Sequence, residues 1–371
     1  MKKLINGALI GFCLVSLSTF SQADFATENN LVLNGIAVHS ELRQPVFLAK
    51  LNVTHPASTP NEARTPGAPA QMELTLLKRS WSSRQFRQYW LSGIAINVGL
   101  EEMTAHQTEL LDLATVLKGR MRQNDRFSID FIPGEATIVS LNDIELDQYS
   151  PELWPLLVSN WVGPRVDQDY RQDILSLPAN TSELLALAST EPSDERIAAI
   201  AGWLVVAEAV EVAVEPEPVV EAEPEPVVEV VAAPVRQPEP EPELEPEPTV
   251  AALSFDDEFE EDESAEEAAL EAQKAFMGAV YSSQMLQWTN RNVRYPSRAL
   301  DRGREGRVTL NVTVDQAGNV VSAEITESSG HGILDREALR AVDRSAPYPR
   351  FPSELDTSTY TASVPISFIL Q

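Results

Sequence analysis

The chain has 371 residues, enough for two domains that each bury a core, and a formal charge of −28. Between Glu208 and Glu271 it places 23 acidic residues against the single base Arg236, so the acidity belongs to one tract and argues against nucleic acid as a partner. Cys13 is the only cysteine, which excludes a disulfide framework and leaves no thiol elsewhere for catalysis. The chain opens on Lys2-Lys3, an apolar run over residues 4–20, and Ser21-Gln22-Ala23. Two readings stand for residues 1–23. One is a secretory signal, cleaved after the small residues at its end; the other is an uncleaved inner-membrane anchor, near the lower limit for spanning. Cys13 follows bulky Phe12 inside the apolar run, which does not suit a lipoprotein cleavage site.

Residues 24–176 predict one α+β domain. Strands are expected at 31–38, 46–53 and 72–77, with a Pro/Ala/Thr-rich loop before the third. Residues 83–97 carry Phe86, Tyr89, Trp90 and Ile94 at helical spacing, and residues 101–117 carry Leu110, Leu113, Ala114 and Leu117. Strands at 126–132, 136–141 and 144–146 follow, around Pro133-Gly134 and an Asn142-Asp143 turn. Helices at 151–159 and 167–176 close the unit. Leu33-Asn34-Gly35, Phe131-Ile132-Pro133-Gly134 with Thr137, the Asn142 turn, and Trp161-Val162-Gly163-Pro164 before residues 170–175 resemble the bacterial chalcone-isomerase-like domain. The resemblance covers most of residues 31–176. It implies a ligand contact at a strand position that the family fills with arginine; the best match here is His39. This departure, with an apolar residue near Phe47 where the family has a hydroxyl, favours binding or a structural role over catalysis. His39 keeps a second reading as a polar residue on the outer face of its strand, since alternation sets it opposite Val38.

Residues 184–214 mix apolar helical pieces, expected to pack on this domain or fray from it. Residues 24–207 therefore read as the domain plus a helical extension. From Val214 to Thr249, ten of 36 residues are proline, mostly in Glu-Pro repeats. Proline fixes φ, and neighbouring glutamates repel. Residues 208–264 are thus expected to be a disordered, extended spacer reaching roughly 110 Å over its proline-rich part.

The last part, residues 265–371, begins with a helical composition over 266–287. A short helix at 296–302 precedes an alternating strand with Val308, Leu310, Val312 and Val314 inward. Gln316-Ala317-Gly318-Asn319 forms a turn, residues 320–325 a second strand, 335–346 a helix stopped by prolines, and 361–370 a last strand. Tyr295-Pro296, Gly306-Arg307-Val308, Ser328-Ser329-Gly330, Leu334-Asp335, Tyr348-Pro349 and Val364-Pro365-Ile366 are similar, in order, to the TonB C-terminal domain. The chain is thus an α+β protein of two domains, with the TonB-like part ββαβ over about 290–371.

The TonB resemblance implies partner capture by strand addition along residues 360–370. The partner-binding residues it marks are Tyr295, Pro296, Tyr360, Ala362, Val364, Ile366 and Phe368. It implies an envelope protein as partner, such as an outer-membrane transporter, and a periplasmic location; an uncleaved anchor would place the protein on the inner membrane, facing the periplasm. The apolar N-terminal run has no histidine or acidic residue to couple to a membrane motor, so force transmission is not expected. The four histidines are scattered, and the sequence has no phosphate loop and no GxSxG, so no metal, cofactor or catalytic centre is expected. Arg291, Arg294, Arg298, Arg302, Arg304 and Arg307 form a basic cluster, read either as a solvated face or as a contact for anionic polymers or the acidic tract. The competing function is a small-molecule, fatty-acid-like binder or isomerase in the first domain, localised by the second. It requires a closed apolar cavity lined by the helices at 83–117 with His39 at its mouth.

Overall fold

The computed structural model describes residues 22–41, 43–211 and 264–370. The signal or anchor of residues 1–23, apart from its last two residues, and nearly all of the acidic spacer lie outside the described residues. In chain order the first domain comprises α1 (Gln22–Glu28), β1 (Val32–Glu41), β2 (Gln44–Val53), α2 (Pro60–Arg64), β3 (Ala70–Leu76), β4 (Ser80–Trp81), α3 (Ser83–Asn97), α4 (Leu100–Ala105), α5 (Gln107–Ala114), β5 (Met121–Arg122), β6 (Arg126–Ile132), β7 (Ala136–Leu141), β8 (Ile144–Tyr149), α6 (Trp154–Val162), α7 (Gln168–Leu175), α8 (Thr181–Leu187) and α9 (Asp194–Glu211). Six strands form one antiparallel sheet in the order β1-β2-β3-β6-β7-β8.

Alternation decides its two faces. Ala49, Leu74 and Phe127 lie in one cross-strand row, and Leu51, Met72 and Ile129 in the next; all six are buried against the helices. The opposite face carries Lys50, Glu73, Gln71 and Asp130. There Lys50 pairs with Glu73, and the Gln71 amide donates to Asp130 at 2.9 Å. α3 starts where its capping box dictates: the Ser82 hydroxyl accepts from Gln85 N–H, and the Gln85 side chain accepts from Ser82 N–H. Its buried stripe is Phe86, Trp90 and Ile94.

The helix expected over 101–117 is two helices. His106 leaves helical geometry at φ −106°, ψ 24°. Glu109 accepts from the His106 ring side at 2.9 Å and from Ser150 N–H at 2.8 Å, which ties the junction to the loop after β8. The Asn34-Gly35 pair also has a tertiary reason. Asn34 exchanges hydrogen bonds with Ala57 and donates to the Ile174 carbonyl at 3.0 Å, and a Cβ on Gly35 would lie 2.0 Å from that same carbonyl. α7 can close on β1 only over a glycine. α9 packs on the domain: Ile200 is buried, and Arg196 holds the buried Asp125 carboxylate at 2.6 Å and the Arg120 carbonyl at 2.8 Å.

The second part comprises α10 (Ala265–Asn290), α11 (Ser297–Leu300), β9 (Gly306–Asp315), β10 (Val320–Glu327), α12 (Gly332–Ser345) and β11 (Thr359–Phe368), with the sheet order β10-β9-β11. Val308, Leu310, Val312 and Val314 from β9, Val364, Ile366 and Phe368 from β11, and Leu334, Ala338, Ala341 and Val342 from α12 form its core. α12 begins three residues earlier than the periodicity suggests, because the His331 carbonyl already accepts from Leu334 and Asp335 N–H groups. Gly318 sits at φ +88° where a Cβ would strike the Tyr348 carbonyl, so the hairpin turn there requires glycine.

α10 belongs to both cores. Ala272, Phe276 and Ala279 from its first half are buried in the first domain, while Tyr281, Met285 and Leu286 from its second half are buried in the second. Arg87, itself buried, donates to the Ala268 carbonyl at 3.2 Å. At the other end the Tyr281 hydroxyl donates to Pro349 at 2.7 Å and the Trp288 indole to Ser345 at 2.8 Å. The spacer reading places the domains far apart. In the folded chain they are joined by this shared helix.

Candidate functional site

β11 is an edge strand, bonded only to β9 within its sheet. Pro365 lies opposite Thr309 and has no N–H, so this pair cannot belong to the hydrogen-bonded set of the ladder. The Thr309 carbonyl accordingly points the other way and accepts from Thr326 of β10 at 3.1 Å. The phase is thereby set. Even-numbered residues of β11 bond to β9 and send their side chains into the core; Thr361, Ser363, Pro365 and Ser367 direct their backbone groups to the free edge.

This sorts the residues that the TonB resemblance marked. Ala362, Val364, Ile366 and Phe368 are buried to within 2% and offer no side chain to a partner. Tyr360 is anchored on α10, its hydroxyl donating to the Gly278 carbonyl at 2.6 Å and lying 2.9 Å from Ser282. Tyr295 stands edge-on to Phe368 at 5.6 Å and donates its hydroxyl to the Arg304 carbonyl; Pro296 caps α11. They brace the strand from beneath. The accessible edge belongs to Thr361, Ser363 and Ser367, which the odd-even phase of Pro365 could have revealed.

Ser363 also forms part of the wall of a hollow of about 970 Å³ that reaches into the first domain. His39 stands in it, stacked on Phe47 at 4.7 Å and edge-on to Tyr89 at 5.3 Å and Tyr170 at 6.2 Å. It is thus turned toward α3 and α7, not onto a solvated outer face. Its ring lies 3.9 Å from Glu41, whose carboxyl is held below its usual range, first by this polar contact with His39. Tyr89 accepts from the Trp161 indole at 3.1 Å, and burial pushes both the Tyr89 and Tyr170 hydroxyls upward. The Tyr170 hydroxyl and the Asn160 side-chain oxygen Oδ1 are buried with no hydrogen-bond partner among the described residues. The hollow differs from the closed apolar cavity expected. Arg84, Gln85 and Gln88 leave it open to solvent, and α3 lines it while α4 and α5 do not. Beside His39, Tyr170 on a helix stripe, where phenylalanine would pack equally well, was a second signal for this site in the sequence.

The basic cluster divides. Arg307 is half-buried and caps the end of the loop after α6, donating to the carbonyls of Pro164, Arg165 and Val166 at 2.9–3.3 Å. Arg291 lies over the Trp288 ring. Arg298, Arg302 and Arg304 gather around a separate hollow. No group of three or more metal-ligating side chains occurs among the described residues, and no helix among them is long and apolar enough to cross a membrane.

Fold and edge together define a two-part protein: an α+β domain with an open hollow, and a ββαβ domain with a free strand edge. Residues 17–176 match the family described as chalcone isomerase-like, and residues 291–370 the family described as Gram-negative bacterial TonB protein C-terminal. The TonB protein of Pasteurella multocida is 34% identical over 88 residues, 24% of this chain and 33% of that protein. The chain therefore spans about one third of the length of the curated relatives it matches. Among solved structures, an Arabidopsis thaliana fatty-acid binding protein is similar at 13% identity over 43% of this chain and 91% of its own, with a TM-score of 0.33. The TonB C-terminal domain of Helicobacter pylori is similar at 26% identity over 25% of this chain and 83% of its own, with a TM-score of 0.23.

Proposed function

We infer that the protein is a non-enzymatic adaptor of the Gram-negative envelope, facing the periplasm, whose C-terminal domain takes an extended segment of a partner onto the edge of β11. The observation that carries this reading is the edge itself, with outward backbone groups at Thr361, Ser363 and Ser367. The matched TonB family supports an envelope protein as the partner, and an outer-membrane transporter is the proposed case. Because Pro365 already lacks its donor, an incoming strand bonds on either side of it. Proline at Ser363 and Ser367 removes two outward donors while sparing the β9 ladder. Capture of the partner from envelope extract by the full chain is expected to fall about tenfold or more in the Ser363→Pro/Ser367→Pro variant. Unchanged capture would assign binding to another face.

A second reading rests on the unpartnered Tyr170 hydroxyl and Asn160 oxygen beside His39: the first domain holds a small amphipathic molecule with a hydrogen-bonding head. A long-chain fatty acid at about 100 times its dissociation constant is expected to add about 2.7 kcal/mol of stability to the full chain. Tyr170→Phe should reduce that gain. No thermal shift with fatty acids or flavonoids would remove this reading.

A further inference from the structure

The start of α12 borders a hollow of about 520 Å³ lined by Arg298, Arg302, Arg304 and Arg336 together with His331 and Gly332. Arg64, Arg126, Arg196 and Arg344 each hold a carboxylate. None of the four around the hollow has a carboxylate partner among the described residues. Asp335 is close in the chain but engaged, accepting from the Ser328 and Ser329 hydroxyls at 2.7 Å and from Ser329 N–H at 3.0 Å. Asp301, next to Arg302, lines no part of the hollow.

The arrangement places like charges together. Arg298 on α11 and Arg302 just past its end bring like charges to the same hollow. Arg336 folds back over the first turn of its own helix, its Nη1 lying 3.4 Å from where a Cβ on Gly332 would be. That is the end of a helix where a cation is disfavoured. His331 precedes the helix without a side-chain cap, so its ring supplies no acceptor to the first-turn N–H groups. An anion in the hollow would reverse each of these terms.

We propose that this hollow is a binding site for a ligand bearing two or more phosphate groups. One guanidinium fork satisfies the two oxygens of a carboxylate, whereas a phosphate presents three acceptors and can be shared between two forks. Four forks around one hollow match two phosphates. The site lies apart from β11 and does not depend on strand addition.

Calorimetric titration of the full chain with inorganic pyrophosphate, and sedimentation with phosphatidylcholine vesicles with and without cardiolipin, whose headgroup carries two phosphates, test it. Binding in either arm is expected, and the arm that binds tells a soluble phosphate ligand from a lipid headgroup. Arg302→Gln/Arg336→Gln should weaken binding about tenfold or more, and Arg340→Gln/Arg350→Gln, an exposed pair of equal charge outside the hollow, by less than about twofold. Equal loss in both variants would overturn the site in favour of diffuse charge. Citrate binding as tightly as pyrophosphate, or no binding in either arm, would overturn it as well.

Discussion

Replacing Asp130 with asparagine is expected to stabilise the protein strongly at pH 8 and little at pH 4. Asp130 is 6% exposed on the polar face of the six-stranded sheet, and its one hydrogen bond comes from the Gln71 amide. Burial first, then the neighbouring Glu73, push its carboxyl from the ordinary 3.8 up to about 7; the Gln71 hydrogen bond opposes them. The folded-state value is the raised one, so between pH 3.8 and about 7 the folded protein keeps a proton that the unfolded chain has released. Asp130 is therefore compatible with folding below that window, and the stability it permits is lost as pH rises through about 7. The difference in unfolding free energy between Asp130→Asn and the natural protein should grow by about 4 kcal/mol from pH 4 to pH 8. Asparagine keeps an acceptor for Gln71, so the hydrogen bond is not the variable. Urea denaturation at the two pH values measures it, and a pH-independent difference would mean that Asp130 is ionised and paired throughout.

Phe276→Ala should cost about 3–5 kcal/mol, the range for emptying a well-packed aromatic site. Phe276 lies on α10 within the sequence of the second domain, yet its ring is buried in the core of the first. The loss should therefore appear as undocking. Scattering should report a larger radius of gyration, while the TonB-like domain, held by Tyr281, Met285 and Leu286, stays folded. Met285→Ala makes the contrasting variant, destabilising the C-terminal core first. A loss below about 1 kcal/mol for Phe276→Ala would return the first half of α10 to solvent.

Much of this architecture was legible from residues close in the chain. Alternation located the strands, as in Val308 to Val314, because side-chain direction along a strand depends only on backbone geometry. The Phe86, Trp90, Ile94 stripe located α3, and the landmarks around Tyr295, Gly318 and Pro365 located the C-terminal domain within a few residues. Pro365 even encodes which backbone groups of β11 face outward, since a missing donor can be tolerated on only one side of the strand.

What the sequence determined by itself was thus local: element type, element order, the turns, and the two families they match. Contacts between residues far apart were decided by tertiary packing. The composition over 266–287 marks a helix, but α10 carries two stripes, Ala272-Phe276-Ala279 and Tyr281-Met285, and only the assembled protein shows that they enter different cores. His39 gained its pocket from Tyr89 and Tyr170, Arg307 its carbonyls from residues 164–166, and Arg336 its arginine neighbours from the loop after α11. Dihedral preference and periodicity act over a few residues, and no pattern within that range says which distant surface will arrive.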